Sequence, residues 1–133
     1  VLRRQGRPAI PCRTHQIDLF APREEALPGL AKAYGSEAVE IVRRARPEDL
    51  RPIDDSNPHL IAEIDYCVQS EACVRVTDFL SRRTRAVLFV PDQGRKSAET
   101  VARRMALHLG GDAGEIRRQI EAFESELERH AEP

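Results

Sequence analysis

The sequence predicts an all-α fold: a compact bundle of about five or six helices preceded by an irregular linker. Apolar residues recur at helical spacing from about Glu25 onward, and residues typical of helix starts and stops separate the periodic stretches. The last two stretches are polar on their outer faces, so each needs a partner to cover one apolar stripe. With 133 residues, the chain suffices for one domain with its own core.

The first 24 residues differ in composition from the rest. Pro8, Pro11 and Pro22 remove backbone donors and disfavour a continuous helix, while residues 17–20 fit a short extended piece. We therefore predict a linker over residues 1–24 and a helical domain over residues 25–133. Because the chain opens on Val1 with residues typical of mid-protein sequence, we expect it to be a piece of a longer protein.

Two helices are predicted before the first long loop. Gly35 is placed to end the first helix in the left-handed conformation, and Ser36 to cap the second. Pro47 ends the second helix, and residues 47–58 are predicted to be a loop. The apolar positions of these helices are Leu27, Leu30, Ala31, Tyr34, Ala38, Val39, Ile41 and Val42.

The middle of the chain carries a strong start signal followed by a break. Asn57 is predicted to cap a helix that has Pro58 at its first position. The β-branched residues between 74 and 77 weaken that helix, and Thr77 is predicted to cap a new one. The apolar block 86–90 fits a buried segment, which Pro91 ends.

Two more helices are predicted towards the end of the chain. Asp92 or Ser97 is placed to begin the first, and the glycine pair at 110–111 to end it. Asp112 and Glu115 fit a capping arrangement for the last helix. Its inward positions are Ile116, Ile120, Phe123 and Leu127.

The charge pattern argues against nucleic acid as a partner. Arginine pairs occur on several predicted helices, and residues 71–84 can be drawn as a helix-turn-helix. However, acids are interleaved throughout and the net charge is −1, whereas DNA-binding domains usually show a basic excess. A salt-bridged surface is the simpler interpretation.

No self-contained active site is predicted. Cys12 and His15 form half of a zinc pattern with no second half, and Cys67 and Cys73 lie near the apolar stripe like small hydrophobic residues. The glycine-rich stretch 110–114 is not a dinucleotide fingerprint. Three cysteines without a paired motif suggest no disulfide framework and a reducing compartment. We therefore predict no catalytic, cofactor-binding or metal-binding residue.

Charged residues near the central break are predicted to be structural. Asp78 and Arg82 lie four apart, a spacing that supports a helical ion pair. Carboxylates upstream can meet the arginines of the second helix. The candidates for structural ion pairs are Glu63, Glu71, Asp78, Arg82 and Arg83.

Three segments carry a resemblance to a known family. The first is LAKAYGSEAVEIV at 30–42. The second is EIDYCVQSEACV at 63–74, with the pattern Glu-x-x-Tyr-x-Val-x-x-Glu at Glu63, Tyr66, Val68 and Glu71. The third is DFLSRRTR at 78–85, with the pattern Asp-x-Leu-x-Arg-Arg-Thr at Asp78, Leu80, Arg82, Arg83 and Thr84.

These segments resemble the C-terminal domain of the FAD-dependent glycerol-3-phosphate dehydrogenase and alpha-glycerophosphate oxidase family. The match extends over residues 27–128, and residues 1–26 resemble the linker from the catalytic domain. The family often has Trp where Gly111 stands, and Cys73 is less typical of it. As the third segment follows the second at the family's distance, it is the most specific of the three.

The resemblance implies a flavoprotein of glycerol metabolism that oxidises sn-glycerol 3-phosphate to dihydroxyacetone phosphate. It implies FAD in the whole enzyme but none bound by this piece, which is expected to be inactive alone. Electrons would pass to quinone, or to oxygen in the oxidase branch. The implied partner is the enzyme's own catalytic FAD domain, with a homo-oligomer left open. The implied location is the cytoplasm, peripheral to the cytoplasmic membrane through the whole enzyme.

Two alternatives of other classes remain open at this point. One is a free-standing helical regulatory or DNA-binding module, and the other is a generic protein-interaction domain. The first would bind duplex DNA in a salt-sensitive way. The second would show an exposed apolar patch.

Overall fold

The computed structural model describes residues 12–16 and 27–131. The predicted linker therefore lies outside the described residues except for 12–16, where Thr14–Gln16 form a 3-10 turn. The predicted extended piece at 17–20 also lies outside them. The chain divides into two units, Val1–Glu40 and Ile41–Pro133. The predicted boundary between linker and domain remains a prediction.

The all-α prediction is confirmed, since the described ranges contain helices and only one isolated bridge, between Pro52 and Leu60. Six α-helices are described: α1 (Pro28–Tyr34), α2 (Ala38–Arg44), α3 (Ile61–Ser70), α4 (Ala86–Phe89), α5 (Arg95–Leu109) and α6 (Ala113–Ala131). A π-helix (Asp78–Arg83) precedes α4, and short 3-10 helices occupy Gly35–Glu37 and Pro47–Asp49.

The predicted turn after α1 is partly right. Gly35 has a φ of 55°, so the need for a glycine there is confirmed. Ser36 is not a helix cap, because it lies inside the 3-10 helix that leads directly into α2. The chain thus passes between the two helices through a tight turn rather than through a capped restart.

The predicted start of α3 at Asn57 is wrong by several residues. Asn57 is fully buried, its Nδ2 donates to Ser97 Oγ at 2.9 Å, and its Oδ1 accepts from the backbone N–H of His59 at 3.2 Å. Two further backbone hydrogen bonds join residues 51–53 to the chain at the start of α3: Ile53 N donates to His59 O at 2.8 Å, and Ile61 N donates to Arg51 O at 3.1 Å. The side chain that fits a cap is therefore used in a tertiary contact, and α3 begins at Ile61.

The segment between α3 and α5 differs from prediction in two places. Thr77 lies within a helical turn and makes no side-chain capping bond. The block 86–90 is not buried throughout: Ala86 and Val90 are buried, but Leu88 and Phe89 are 72% and 77% exposed. A single helical turn has room for one inward face, so its remaining residues point outwards.

The ends of α5 and α6 follow the predicted local signals. At the start of α5 the agreement is partial: Asp92 accepts the backbone N–H of Lys96 at 2.8 Å, but the helix begins at Arg95 with Gly94 as its N-cap. Ser97 lies inside α5 and is fully buried. Gly110 ends α5 with a φ of 75°. Asp112 accepts the backbone N–H of Glu115 at 2.8 Å at the start of α6.

In the unit Ile41–Pro133, α5 packs against both α3 and α6. The inward residues of α5, Val101, Ala102 and Met105, are buried. On α6, the predicted inward residues Phe123 and Leu127 are buried as well. The largest side chains with no more than 2% exposure are Phe79, Phe123, Ile41, Ile64 and Leu80. The core is therefore aliphatic with two phenylalanines.

We expect Phe123→Ala to lower the free energy of unfolding by about 3–5 kcal/mol, because it leaves a cavity in this core. The same change at Phe89, which is 77% exposed, serves as the matched control and should cost within about 0.5 kcal/mol. Urea unfolding followed by circular dichroism measures both. Similar losses for the two variants would contradict the assignment of the core.

Candidate functional site

Four of the five predicted ion-pair residues meet at the break between α3 and the π-helix, and we call them the helix-break cluster: Glu71, Asp78, Arg82 and Arg83. Asp78 Oδ2 accepts the backbone N–H groups of Val74 and Arg75, at 3.2 and 3.0 Å. Its other oxygen pairs with the Arg82 guanidinium. Asp78 thus satisfies backbone donors at the start of the helical segment, as a capping side chain does.

Arg83 contacts the C-terminal end of α3, on the other side of the break from the π-helix. Its Nη2 donates to the backbone carbonyl of Glu71 at 2.9 Å, and its Nε lies 3.5 Å from Glu71 Oε2. Carbonyls at the end of a helix lack intrahelical partners and carry partial negative charge, which a guanidinium satisfies. Arg83 therefore ties the end of α3 to the π-helix.

Glu63 lies outside this cluster. It is buried near the start of α3, where Oε1 accepts the backbone N–H of Leu60 at 2.7 Å and Oε2 lies 3.0 Å from His59 Nδ1. The expectation that Glu63 meets an arginine of the later helix is therefore corrected. Its position three residues after the N-cap explains the contact, because a glutamate there reaches back to the free backbone donor.

The two cysteines near the break, Cys67 and Cys73, are buried. Cys67 Sγ lies 3.2 Å from Glu71 Oε2, and Cys73 is 1% exposed. Burial, reinforced by the Asp78 carboxylate, raises the pKa of the Cys73 thiol to about 11. Because the thiolate is the nucleophile, Cys73 is unreactive near neutral pH.

A second ionic network was not predicted, and we call it the Arg104 network: Asp49, Asp65, Arg104 and His108. Arg104 Nε donates to Asp65 Oδ1 at 2.7 Å, and its Nη2 donates to Asp49 Oδ2 at 2.6 Å. His108 Nε2 lies 2.7 Å from Asp65 Oδ1. The network joins α3, α5 and the 3-10 helix Pro47–Asp49.

The Arg104 network shifts the pKa values of its members. Partial burial acts to raise the pKa of Asp65, but hydrogen bonds from Arg104 and His108 lower it overall. The hydrogen bonds that Arg104 donates to Asp65 raise the pKa of the Arg104 guanidinium. One feature of the sequence could have indicated this network. Arg104 and His108 follow Val101 by three and seven residues, a spacing that places all three on the inward side of α5.

A buried polar cluster fixes the loop that precedes α3. Asp54 accepts from the Ser56 backbone and hydroxyl, the Asn57 backbone and the Ser97 hydroxyl. Partial burial acts to raise the pKa of Asp54, but the bonds from Ser56 and Ser97 lower it overall. Ser97 therefore anchors the loop onto α5 instead of beginning that helix.

A cleft of about 400 Å³ lies between α5 and α6, with Met105, Leu109 and Ile116 among its lining residues. Its polar rim is already paired: Arg118 Nη2 donates to Glu115 at 2.7 Å, and Gln119 donates to the same carboxylate at 3.0 Å. Within the described part of the chain, no buried side-chain polar atom lacks a partner.

The described residues contain no group of three or more metal-ligating side chains. The glycine-rich turn after α5 is not a phosphate cradle, because Gly110 N and Gly111 N both donate to Ala106 O, at 2.9 and 3.1 Å. Within the described ranges, no helix is long and apolar enough to cross a membrane.

Comparison with known proteins decides the family. A family model described as the C-terminal domain of alpha-glycerophosphate oxidase matches residues 12–116. The chain belongs to this family. This agrees with the resemblance seen in the sequence.

Among curated proteins, the chain is 28% identical over 100 residues to the mitochondrial glycerol-3-phosphate dehydrogenase of Arabidopsis thaliana. It is 30% identical over 101 residues to glycerol-3-phosphate dehydrogenase of Mycobacterium leprae and to glycerol-3-phosphate dehydrogenase 2 of Mycobacterium tuberculosis. Each match covers 74% of this chain but only 16% or 17% of the relative. No solved structure matches the chain.

We expect Arg83→Met to lower the free energy of unfolding by about 1 kcal/mol, because it removes a charge-assisted bond to a helix-terminal carbonyl. The Arg83 side chain is 43% exposed, so the loss stays well below that of a buried pair. Arg82→Met is the matched control: that side chain is 64% exposed and bonds only within its own helical turn. Equal losses for the two variants in urea titrations would argue against a special role of Arg83.

We expect Asp65→Asn to lower the free energy of unfolding at pH 7 by about 1–3 kcal/mol, because it weakens charge-assisted bonds. The folded-state pKa of Asp65 lies below its unfolded value of 3.8. Its stabilisation is therefore present above pH 3.8 and is lost as pH falls through the lower, folded-state pKa.

Urea titrations of both proteins from pH 7 to pH 2 measure this dependence. The gap between wild type and Asp65→Asn should shrink below pH 3.8, where the carboxylate becomes protonated. Arg104 and His108 face Asp65, and the Arg104 guanidinium stays positively charged throughout that range, so the change reports the carboxylate. A gap that is constant down to pH 2 would contradict this account.

Proposed function

We propose that this chain is the C-terminal helical domain of an FAD-dependent glycerol-3-phosphate dehydrogenase. The whole enzyme oxidises sn-glycerol 3-phosphate to dihydroxyacetone phosphate and passes the electrons to quinone. The observation that carries the proposal is the family match over residues 12–116, supported by relatives that are named glycerol-3-phosphate dehydrogenases. The chain spans about one sixth of their length, so the chemistry is assigned to the remainder.

Within that enzyme, we assign a structural role to this domain, over residues 25–133, with residues 1–24 as the linker from the catalytic part. The supporting observation is that, in both the helix-break cluster and the Arg104 network, charged side chains are paired with other groups of this domain. Arg104 is held by two aspartates, and Asp78 bonds to backbone N–H groups and Arg82. FAD binding and turnover accordingly belong to the catalytic part, and the domain alone is inactive.

The proposed setting is the cytoplasm, with peripheral attachment to the cytoplasmic membrane through the whole enzyme. The partners are the catalytic FAD domain and quinone, and the enzyme can form a homo-oligomer. Nucleic acid is not a partner in this proposal. Its support is that several arginines on which a DNA-binding interpretation depends are paired with carboxylates, among them Arg82, Arg103 and Arg118.

The test is expression of the complete gene that encodes this chain. We expect a yellow protein that reduces a soluble quinone with sn-glycerol 3-phosphate, forming one dihydroxyacetone phosphate per quinone reduced. The enantiomer sn-glycerol 1-phosphate is the control and should give little turnover. A protein without flavin or without turnover would contradict the proposal, and hydrogen peroxide formation without quinone reduction would replace quinone with oxygen as the acceptor.

A further inference from the structure

The single-turn helix α4 presents two large apolar side chains to solvent. Leu88 is 72% exposed and Phe89 is 77% exposed, while Ala86 and Val90 at the ends of the turn are buried. Large apolar side chains that lie together at the surface typically mark a contact site. The family match does not assign this feature any role.

The local backbone holds α4 in a fixed position. Thr84 Oγ donates to Phe79 O at 2.9 Å, and the backbone N–H of Ala86 lies 3.4 Å from Thr84 Oγ. The N–H of Val90 donates to the carbonyl of Ala86 at 2.9 Å, which closes the turn. Leu88 and Phe89 are therefore presented in a preorganised way, which lowers the entropic cost of binding.

Three basic residues lie close to the first residue of α4. Arg85 immediately precedes α4, and Gly94 packs so closely that a Cβ there would lie 3.6 Å from Ala86 Cβ. Arg95 and Lys96 therefore begin α5 beside the first residue of α4. Among the described residues, none of these three cations forms an ion pair. We call Leu88, Phe89, Arg85, Arg95 and Lys96 the α4 surface.

The size of the α4 surface favours a tethered partner. Two exposed side chains offer roughly a few hundred Å² of apolar area, well below the about 800 Å² per partner of a stable interface between free proteins. A covalently linked partner needs much less area, because linkage raises its effective concentration to about the millimolar range. In the relatives, more than four fifths of the chain lies outside the matched region, since the match covers 16–17% of their length.

We propose that the α4 surface docks this domain onto the catalytic part of the same polypeptide. The chemistry that fits it is an apolar pocket, which receives Phe89 and Leu88, bordered by aspartate or glutamate side chains that face Arg85, Arg95 and Lys96. The inference rests on the proposed function in one respect: it requires that this domain be attached to a larger catalytic part.

The first experiment is hydroxyl-radical footprinting of the full-length protein, natively folded and in denaturant, with oxidation read by mass spectrometry. Docking predicts that Leu88 and Phe89 are oxidised about tenfold more slowly in the native protein, as expected for side chains desolvated in a pocket. Leu107 is the matched control, since it is 75% exposed on α5 and should be oxidised at similar rates in both states. A ratio of native to denatured rate for Phe89 equal to that for Leu107 would overturn the proposal.

Variants of the full-length protein test the two kinds of contact separately. Phe89→Ser should increase the native oxidation rate of Leu88 about fivefold, because it removes the larger apolar anchor. Lys96→Glu should do the same if acidic side chains border the pocket. Leu107→Ser, an equally exposed site, should leave the Leu88 rate unchanged. If all three variants behave alike, the docking surface is not α4.

Other occupants give different results. Protection of Phe89 that disappears on hundredfold dilution would indicate a second copy of the chain, and protection that needs vesicles of anionic phosphatidylglycerol would indicate a lipid surface. Either result overturns the proposal. Turnover of glycerol 3-phosphate is measured on the same sample. Turnover without protection refutes docking alone, whereas protection without turnover refutes the proposed activity and leaves the contact in place.

Discussion

One face of α5 carries the polar contacts on which the fold of the larger unit depends. Ser97, Arg104 and His108 lie seven and four residues apart, so they project from the same side of the helix as the buried Val101. Ser97 bonds to the loop before α3, and Arg104 bonds to Asp65 of α3 and to Asp49. Hydrogen bonds are directional, so these contacts fix the register of α5 against its neighbours where apolar packing alone would allow sliding.

This arrangement explains how a loop rich in proline and acidic residues becomes ordered. Between Pro47 and Pro58, Ile53 is the buried apolar side chain. The order of this loop comes from Asp54, whose carboxylate accepts four hydrogen bonds, and from Asn57 against Ser97. A half-satisfied buried cluster would be costly, but here each partner is supplied by the loop or by α5.

The sequence was sufficient for some structural decisions that depend on residues within one helical turn, although Ser36 and Thr77 do not cap helices as predicted. Gly110 ends α5 and Asp112 caps the start of α6 as predicted, because both signals act within a single helical turn. The predictions failed for Asn57 and Ser97, two capping-type residues that instead bond to each other across 40 positions. The neighbouring sequence does not distinguish a polar side chain that caps a helix from one that is buried against a distant helix.

The same distinction applies to the charged residues. Asp78 and Arg82 were found from their spacing of four, and Arg83 reaches the nearby end of α3. The Arg104 network joins residues 39 and 55 positions apart, and only the inward spacing on α5 marked it in the sequence. Glu63 was placed with the wrong partner because a capping glutamate and an ion-pairing glutamate look identical in sequence.

Backbone strain is concentrated around the segment that exposes α4. Ala72, Arg85 and Gln93 all have positive φ, between 53° and 58°, although none is glycine. Each such residue costs about 1 kcal/mol or more and persists only where its surroundings determine it. Here the surroundings are the Arg83 bond to Glu71, the Thr84 hydroxyl and the close packing of Gly94 on Leu80 and Ala86. The strained residues thus hold α4 in the position from which Leu88 and Phe89 reach solvent, as the proposed docking contact requires.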